Sequence, residues 1–305
     1  ILQVLFNLKG IFPHLAIVSA ALLWSLDGFL RQELYHISSF IIVALEHSIG
    51  ALIFLPLLFK STSKIKKLNQ RGWISIFWIS ICGGMLGTYF YTKALSFVNY
   101  IDLSVVVLIQ KLQPLFAISL AGAILREKLS KRFMFLAIIA MFGGYLVTFG
   151  NKPFGNWDDK SIIASLCALL ASFCWGSSTV LGKHALKQLP FEVVTGMRLL
   201  ITAIMALIVI SYLGNISEAF KLKTESYKAI IIIVFSTGTL ALSIYYYGLQ
   251  NLAASHATIY ELVWPLSAVI LDWALKGKML SLIQIIGALM LLCSMGILTK
   301  EDSNE

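Results

Sequence analysis

The stretch Leu112-Gln113-Pro114-Leu115-Phe116-Ala117 decides the fold, because it returns 151 positions later as Val263-Trp264-Pro265-Leu266-Ser267-Ala268. The same shift overlays Trp24 on Trp175. It also overlays two dipeptides, Gly87-Thr88 on Gly238-Thr239 and Leu129-Ser130 on Leu280-Ser281. Prolines and dipeptides that recur at one offset predict a chain made of one unit written twice, over 1–150 and 151–305. The turn-rich segment 151–159 is expected to join the copies.

The composition places both copies in a membrane. The 305 residues are 58% hydrophobic and 13% charged, whereas a soluble globular chain is nearer half apolar and a quarter charged. Apolar segments of about twenty residues recur along the chain, and each is long enough to cross a bilayer core. The short alternating segments of a membrane β-barrel are absent. We therefore predict an all-α polytopic membrane protein.

Ten transmembrane helices are predicted, five in each copy. They cover 12–30, 38–59, 72–95, 101–124, 132–150, 161–182, 191–213, 227–248, 255–275 and 280–299. Because five is an odd number, the second copy must enter the membrane from the opposite side, which gives two inverted five-helix repeats. Inverted repeats are typical of secondary transporters, whose substrate site lies where the copies meet.

The net charge of +9 is concentrated in short loops. The basic runs at 60–71 and 126–132 lie on one side of the membrane if the N-terminus is cytoplasmic, as the positive-inside rule requires. The lysines at 221–228 and 276–278 fit this rule less well. We predict a bacterial inner (plasma) membrane protein with both termini in the cytoplasm, and basic runs that meet lipid headgroups instead of nucleic acid. No cleavable signal peptide is expected, since the first apolar segment lacks a small-residue cleavage site.

Polar side chains inside the apolar spans mark the candidate site, because a charge at the bilayer centre is costly unless it faces the bundle interior or water. The shift of 151 pairs Gln110 with Glu261 and His47 with Arg198, so polar groups recur at equivalent depths in both copies. The predicted substrate-binding residues are Trp24, Glu46, Gln110, Lys111, Trp175, Arg198, Tyr260, Glu261 and Trp264.

Two interpretations of the buried charges stay open. In the structural one, Glu46 neutralises Lys111 or Arg198, and Glu261 neutralises Arg198. In the functional one, the buried carboxyl groups exchange protons near neutral pH or bind a substrate ammonium group. The aromatic side chains Tyr260 and Trp264 lie four positions apart, so we expect them to line the pathway together and to bind organic substrates.

Pro114 and Pro265 are predicted gating residues. A proline inside a helix removes a backbone hydrogen bond and bends the helix, and the freed carbonyl groups can line a cavity.

The four cysteines show no metal-binding spacing. No catalytic residue, metal or cofactor is predicted.

The repeated motifs resemble the drug/metabolite transporter superfamily, specifically its ten-helix EamA-like members. The resemblance rests on Ala21-Leu22-Leu23-Trp24-Ser25, on 170–176, and on the two proline stretches followed by 126–130 and 278–281. Glu127 keeps a glutamate that is usual in the family, whereas Lys278 replaces it in the second copy. The resemblance implies an inner-membrane secondary carrier for amino acids, nucleotide-related metabolites or drugs, often directed outward.

We therefore predict a secondary active transporter of small metabolites, with export of amino acids or related compounds as the first hypothesis. The alternatives are uptake or exchange of a nucleotide-like or cofactor metabolite, and multidrug export. No phosphate-binding loop of the G-x-x-x-x-G-K-[ST] type is present, so coupling to a gradient, for example of protons, is favoured over ATP hydrolysis. An intramembrane enzyme would need a catalytic motif, and a channel would need a continuous polar lining. The expected partners are the substrate and the lipid bilayer, in a monomer or homodimer.

Overall fold

The computed structural model describes residues 2–32, 34, 36–97, 106, 109–110, 112–149, 159–264, 266–267, 270–271 and 281–302. Every regular element within these residues is a helix. Seven helical segments among them are long and apolar enough to cross a membrane: Ile11–Gly28, Ser39–Lys60, Gln70–Leu95, Ile162–Leu186, Phe191–Tyr212, Thr224–Asn251 and Leu282–Lys300. The chain is thus a multi-pass α-helical membrane protein. The count of ten stays a prediction, since the spans at 101–124 and 255–275 lie partly outside the described residues.

The helices follow one another in two similar series. The first is α1 (Leu2–Gln32), α2 (Ser39–Lys60), α3 (Thr62–Ile65), α4 (Gln70–Trp78), π1 (Ile79–Leu86), α5 (Gly87–Leu95), α6 (Gln113–Leu120), π2 (Ala121–Leu125) and α7 (Lys131–Phe149). The second is α8 (Asp159–Leu186), α9 (Phe191–Tyr212), α10 (Ile216–Ala219), α11 (Thr224–Ile233), π3 (Val234–Gly238), α12 (Thr239–Asn251), α13 (Ala254–Tyr260) and α14 (Leu282–Asp302). The π labels denote segments of wider π-helix.

The repeated dipeptide Leu-Ser begins a helix in both series. Ser130 precedes α7 and accepts a hydrogen bond from the backbone N–H of Phe133 at 3.0 Å. Ser281 precedes α14 and accepts one from the backbone N–H of Gln284 at 3.3 Å. A serine in this position satisfies an N–H group that the first helical turn leaves free. The Leu-Ser dipeptide therefore marks the start of a helix, and the helices that it precedes, α7 and α14, begin at positions related by the shift of 151.

A π-helical segment also recurs at one place in both series. π1 ends at Leu86, directly before the dipeptide Gly87-Thr88, and π3 contains Gly238 of the matching dipeptide. A π segment widens the helix and redirects the side chains that follow it, and such segments are frequent at functional sites. Both widened segments contact helices of the opposite series.

Helices of one series pack mainly against helices of the other. α1 lies against α12, and its counterpart α8 lies against α5. In the same crosswise manner, π1 contacts α8 and α9, whereas π3 contacts α1 and α2. The pairs α2 with α9 and α7 with α14 join equivalent helices directly. Each of these contacts thus has a counterpart in which the roles of the two series are reversed. The space between the helices is therefore lined by both series.

Pro114 does not bend a helix, contrary to the sequence-based expectation. It occupies the first turn of α6, which begins one residue earlier at Gln113. Proline is tolerated there because the N–H groups of a first helical turn have no partner within the helix. Pro114 thus lies in the first turn of a helix that starts three residues after Gln110. Pro265 lies outside the described residues.

Candidate substrate-binding site

A cavity of about 160 Å³ lies between the two series of helices. Its walls are formed by α1, α2, α5, α8, α9, π3 and α12, together with the side chains around positions 110–113 and 261–264. Seven of the predicted site residues line it: Trp24, Glu46, Gln110, Trp175, Arg198, Glu261 and Trp264. Lys111 lies outside the described residues. The shift of 151 therefore identified a set of side chains that the structure brings together.

Tyr260 does not line this cavity. It is fully buried elsewhere, with its ring edge-on to His14 at a centroid distance of 5.0 Å and its hydroxyl group 2.9 Å from that of Thr299. The reason is local, because α13 ends at Tyr260 and the chain makes a turn at 261–262 before Trp264. The spacing of four therefore does not place Tyr260 and Trp264 on one helix face.

A buried ionic network forms part of the cavity wall. Arg31, at the C-terminal end of α1, donates hydrogen bonds to Asp27 of the same helix and to Glu46 of α2, the latter at 3.0 Å. A second nitrogen of Arg31 lies 2.9 Å from the other carboxylate oxygen of Glu46. Thr237 of π3 donates to Asp27 at 2.6 Å. Thr92 of α5 completes the network at 3.5 Å from Arg31. The guanidinium group of Arg31 thus links α1 to α2, and the hydroxyl groups of Thr92 and Thr237 link α1 to α5 and to π3.

Glu261, also in the cavity wall, accepts two hydrogen bonds from side chains. Gln113 donates a hydrogen bond to Glu261 at 2.6 Å, and the hydroxyl group of Tyr245 donates another at 2.7 Å. The hydroxyl group of Thr179 lies 2.8 Å from that of Tyr245. These contacts join α6, α12 and α8 and fix the carboxylate in place. The expected neutralisation of Glu261 by Arg198 is not observed.

Arg198 of α9 lies in the cavity wall and is only 9% exposed. It donates one hydrogen bond, to the hydroxyl group of Tyr246 at 2.8 Å, and its guanidinium carbon lies 5.6 Å from the centre of that ring. Among the described residues, no carboxylate lies within ion-pair distance of Arg198, and its Nε atom has no hydrogen-bond partner. Neither predicted pairing of Arg198, with Glu46 or with Glu261, is present.

Aromatic side chains from both series form the walls. Trp24 of α1 packs against Tyr245 of α12 at a ring distance of 5.1 Å. Its repeat counterpart Trp175 of α8 packs against Tyr91 of α5 at 5.3 Å. Trp175 also donates a hydrogen bond to the backbone carbonyl of Gly83 in π1, at 3.1 Å. The two tryptophans that line the cavity are therefore each packed against a tyrosine of the opposite series.

Sequence reasoning missed several residues of the site. Arg31 lies one position beyond the predicted first span, and a hydropathy window treats such a charge as the end of a span. Its spacing of four from Asp27 was an available signal, since this spacing suits an ion pair on a helix. Gln113, Tyr245 and Tyr246 are also absent from the predicted set. The position of the two tyrosines after the repeated Gly-Thr dipeptide was the remaining signal.

The geometry agrees with comparisons to known proteins. The profile of the EamA-like transporter family matches the chain twice, over residues 11–149 and 162–300. The chain belongs to the EamA-like transporter family. It is 35% identical over 298 residues to the riboflavin transporter ImpX of Fusobacterium nucleatum subsp. nucleatum, covering 96% of this chain and 98% of that protein. It is 25% identical over 286 residues to the uncharacterized transporter YoaV of Bacillus subtilis, covering 92% and 94%.

A solved crystal structure has the same fold as this EamA-like chain. The TM-score is 0.73 at 17% identity, and the match covers 95% of this chain and 96% of the other. The family and the relatives indicate a transporter of small metabolites instead of an enzyme. None of these comparisons supports export of amino acids.

Proposed function

We propose that the protein carries riboflavin, or a closely related planar heterocycle, across the membrane by alternating access. One observation carries the proposal: a cavity whose aromatic walls come from both halves of an EamA-like chain. A planar ring stacks well against such walls, and the polar groups between them can fix its orientation. The similarity to a riboflavin transporter favours this substrate over the amino acids that the sequence suggested first.

Alternating access is supported by the crosswise contacts between the two series of helices. We propose that residues 1–150 and 151–305 are two inverted repeats and that they rock against each other around the cavity. The double match of the family profile supports the same division. The cavity of about 160 Å³ is smaller than the roughly 300–1,000 Å³ of typical small-molecule sites. Substrate binding would therefore require one end of the cavity to open.

We also propose the proton as the coupling ion, carried by Glu46 or Glu261. Both carboxyl groups are buried and line the cavity. Glu46 shares one guanidinium group with Asp27, so this network holds one negative charge more than it holds positive charges. A proton gradient imposed across a vesicle would then change the accumulation of substrate. Orientation in the membrane and direction of transport stay predictions.

The direct test is counterflow in proteoliposomes. Vesicles loaded with unlabelled riboflavin should take up labelled riboflavin faster than empty vesicles, because a carrier exchanges the two. Tyr245→Phe, which removes a hydroxyl group bonded to Glu261 in the cavity, should slow exchange. Tyr260→Phe is the matched control outside the cavity and should exchange normally. Equal uptake into loaded and empty vesicles would contradict the proposal.

A further inference from the structure

Arg198 has fewer partners than a buried guanidinium group requires. The group carries five N–H donors, and one hydrogen bond to Tyr246 is its only contact with an acceptor among the described residues. Removing a charge from water costs several kcal/mol unless opposite charges or hydrogen bonds replace the water. An incompletely paired charge in a cavity wall is therefore a place where a ligand supplies the missing acceptors.

Two neighbouring groups share this property. The hydroxyl oxygen of Ser178 in α8 is buried and has no hydrogen-bond partner, and the side-chain oxygen of Gln110 is in the same state. Both residues line the cavity with Arg198. Three polar side chains of one cavity are thus left without the partners that buried polar groups normally have.

Gly83 of π1 leaves space beside Arg198 and Ser178. A side-chain carbon at this position would lie 2.7 Å from the hydroxyl oxygen of Ser178 and 3.0 Å from a terminal nitrogen of Arg198. Both distances are too short for unbonded atoms in a relaxed structure. Only glycine therefore keeps the Arg198 and Ser178 side chains in these positions.

The charges around the cavity limit what this corner can bind. Among the described residues that line it, Asp27, Glu46 and Glu261 carry carboxylates, Arg31 and Arg198 carry guanidinium groups, and His47 counts as neutral at pH 7. Arg31 is already shared by two of the acids. A phosphate ester would add up to two negative charges to this surplus, whereas a neutral carbonyl group would accept hydrogen bonds from Arg198 without adding charge.

We infer that Arg198 and Ser178, with Gln110 in the wall of the same cavity, form a subsite for the carbonyl-bearing edge of an uncharged heterocyclic ring, and that this subsite selects unphosphorylated flavins over phosphorylated ones. The inference rests on the proposed function and adds to it the part of the substrate that is recognised. The donors of Arg198 bind ring carbonyl oxygens, and the amide oxygen of Gln110 accepts from a ring N–H group. The aromatic walls hold the faces of the ring.

Binding to the purified full-length chain tests this inference, with flavin fluorescence as the signal. The probes are riboflavin, lumichrome, which is the bare ring system, and flavin mononucleotide. Arg198→Gln should weaken riboflavin and lumichrome by a similar factor of about 10 to 100, since it removes hydrogen bonds from a charged donor. Ser178→Ala should weaken both by a smaller factor. Arg71→Lys, at an exposed arginine, is the control and should bind like the wild type.

Thermal unfolding without ligand separates recognition from a structural role. If the N–H donors of Arg198 serve to bind a ligand, the Arg198→Gln variant should unfold at the same temperature as the wild type or at a higher one. The reason is that the substitution removes a buried charge that has too few partners in the ligand-free protein. A lower unfolding temperature would assign Arg198 to structure and overturn the inference. A loss for riboflavin but not for lumichrome would overturn it too, as would tighter binding of flavin mononucleotide than of riboflavin. Absence of all flavin binding to the wild type would overturn the proposed function as well.

Discussion

Two buried arginines line the cavity, and they differ in the number of charged partners that the protein provides. This difference distinguishes the structural part of the site from the part that is available to a ligand. Arg31 is surrounded by Asp27, Glu46 and Thr92, so its charge is more than neutralised within the protein. Arg198 has one tyrosine hydroxyl group and no carboxylate among the described residues. The first arginine holds helices together, whereas the second keeps donors available. A buried charge thus indicates a binding function only after its partners have been counted.

The largest expected effect is that of Arg31→Met. Removing the guanidinium group leaves Asp27 and Glu46 as two buried carboxylates without a cation between them. Breaking a buried ion pair from one side costs about 3–5 kcal/mol, so we expect a strong fall in the free energy of unfolding, or no folded protein in detergent. Size-exclusion chromatography and denaturant titration measure this.

Neutralising the network is the matched control for Arg31→Met. Adding Asp27→Asn and Glu46→Gln to that variant removes the uncompensated charges and should restore most of the stability. If Arg31→Met alone were as stable as the wild type, Arg31 would not be the structural member of the two arginines.

Thr237→Val should have an intermediate effect. The substitution keeps the shape of the side chain but removes the hydrogen bond to Asp27, which links π3 of the second series to α1 of the first. A hydrogen bond to a charged group is worth about 1.5–3 kcal/mol. Denaturant titration should show a loss in this range, and Ser236→Ala, at a half-buried serine of the same π segment that bonds only within its own helix, should lose much less. Equal losses would mean that Thr237 does not join the network to the second series.

Glu46→Gln should have the smallest effect of the three on stability. The remaining Asp27 and Arg31 form a balanced pair, and the amide oxygen of the glutamine can still accept from Arg31. We expect a change of about 1 kcal/mol or less, again by denaturant titration. A loss as large as that of Arg31→Met would mean that the second negative charge is structural and would remove Glu46 from the candidates for proton coupling.

The membrane class and seven of the cavity residues could be predicted from the sequence. Five of these residues, Trp24, Gln110, Trp175, Arg198 and Glu261, belong to pairs related by the shift of 151, which compares positions instead of composition. Arg198 and Glu261 were found as charges in apolar spans. Their hydrogen-bond partners Tyr246 and Gln113 were not, because these residues lie on separate helices and are brought to Arg198 and Glu261 only by tertiary packing.

Two further differences come from local breaks in helices. Tyr260 leaves the cavity because the chain turns at 261–262, and no proline or glycine lies within that turn to indicate it. π1 and π3 were equally invisible to hydropathy, since widening a helix changes hydrogen-bond spacing and not composition. The dipeptide Gly-Thr lies at the end of both π segments, but only a comparison of the two helix series shows that it is associated with them.

An experimental structure of the full chain with riboflavin present is the decisive test of this binding site. We expect a flavin ring in the cavity beside Trp24 and Trp175, with a ring carbonyl oxygen about 3 Å from a nitrogen of Arg198 and the contacts of Arg31 unchanged. An empty cavity in which Arg198 is paired with Glu46 or Glu261, or a flavin bound away from Arg198, would contradict it.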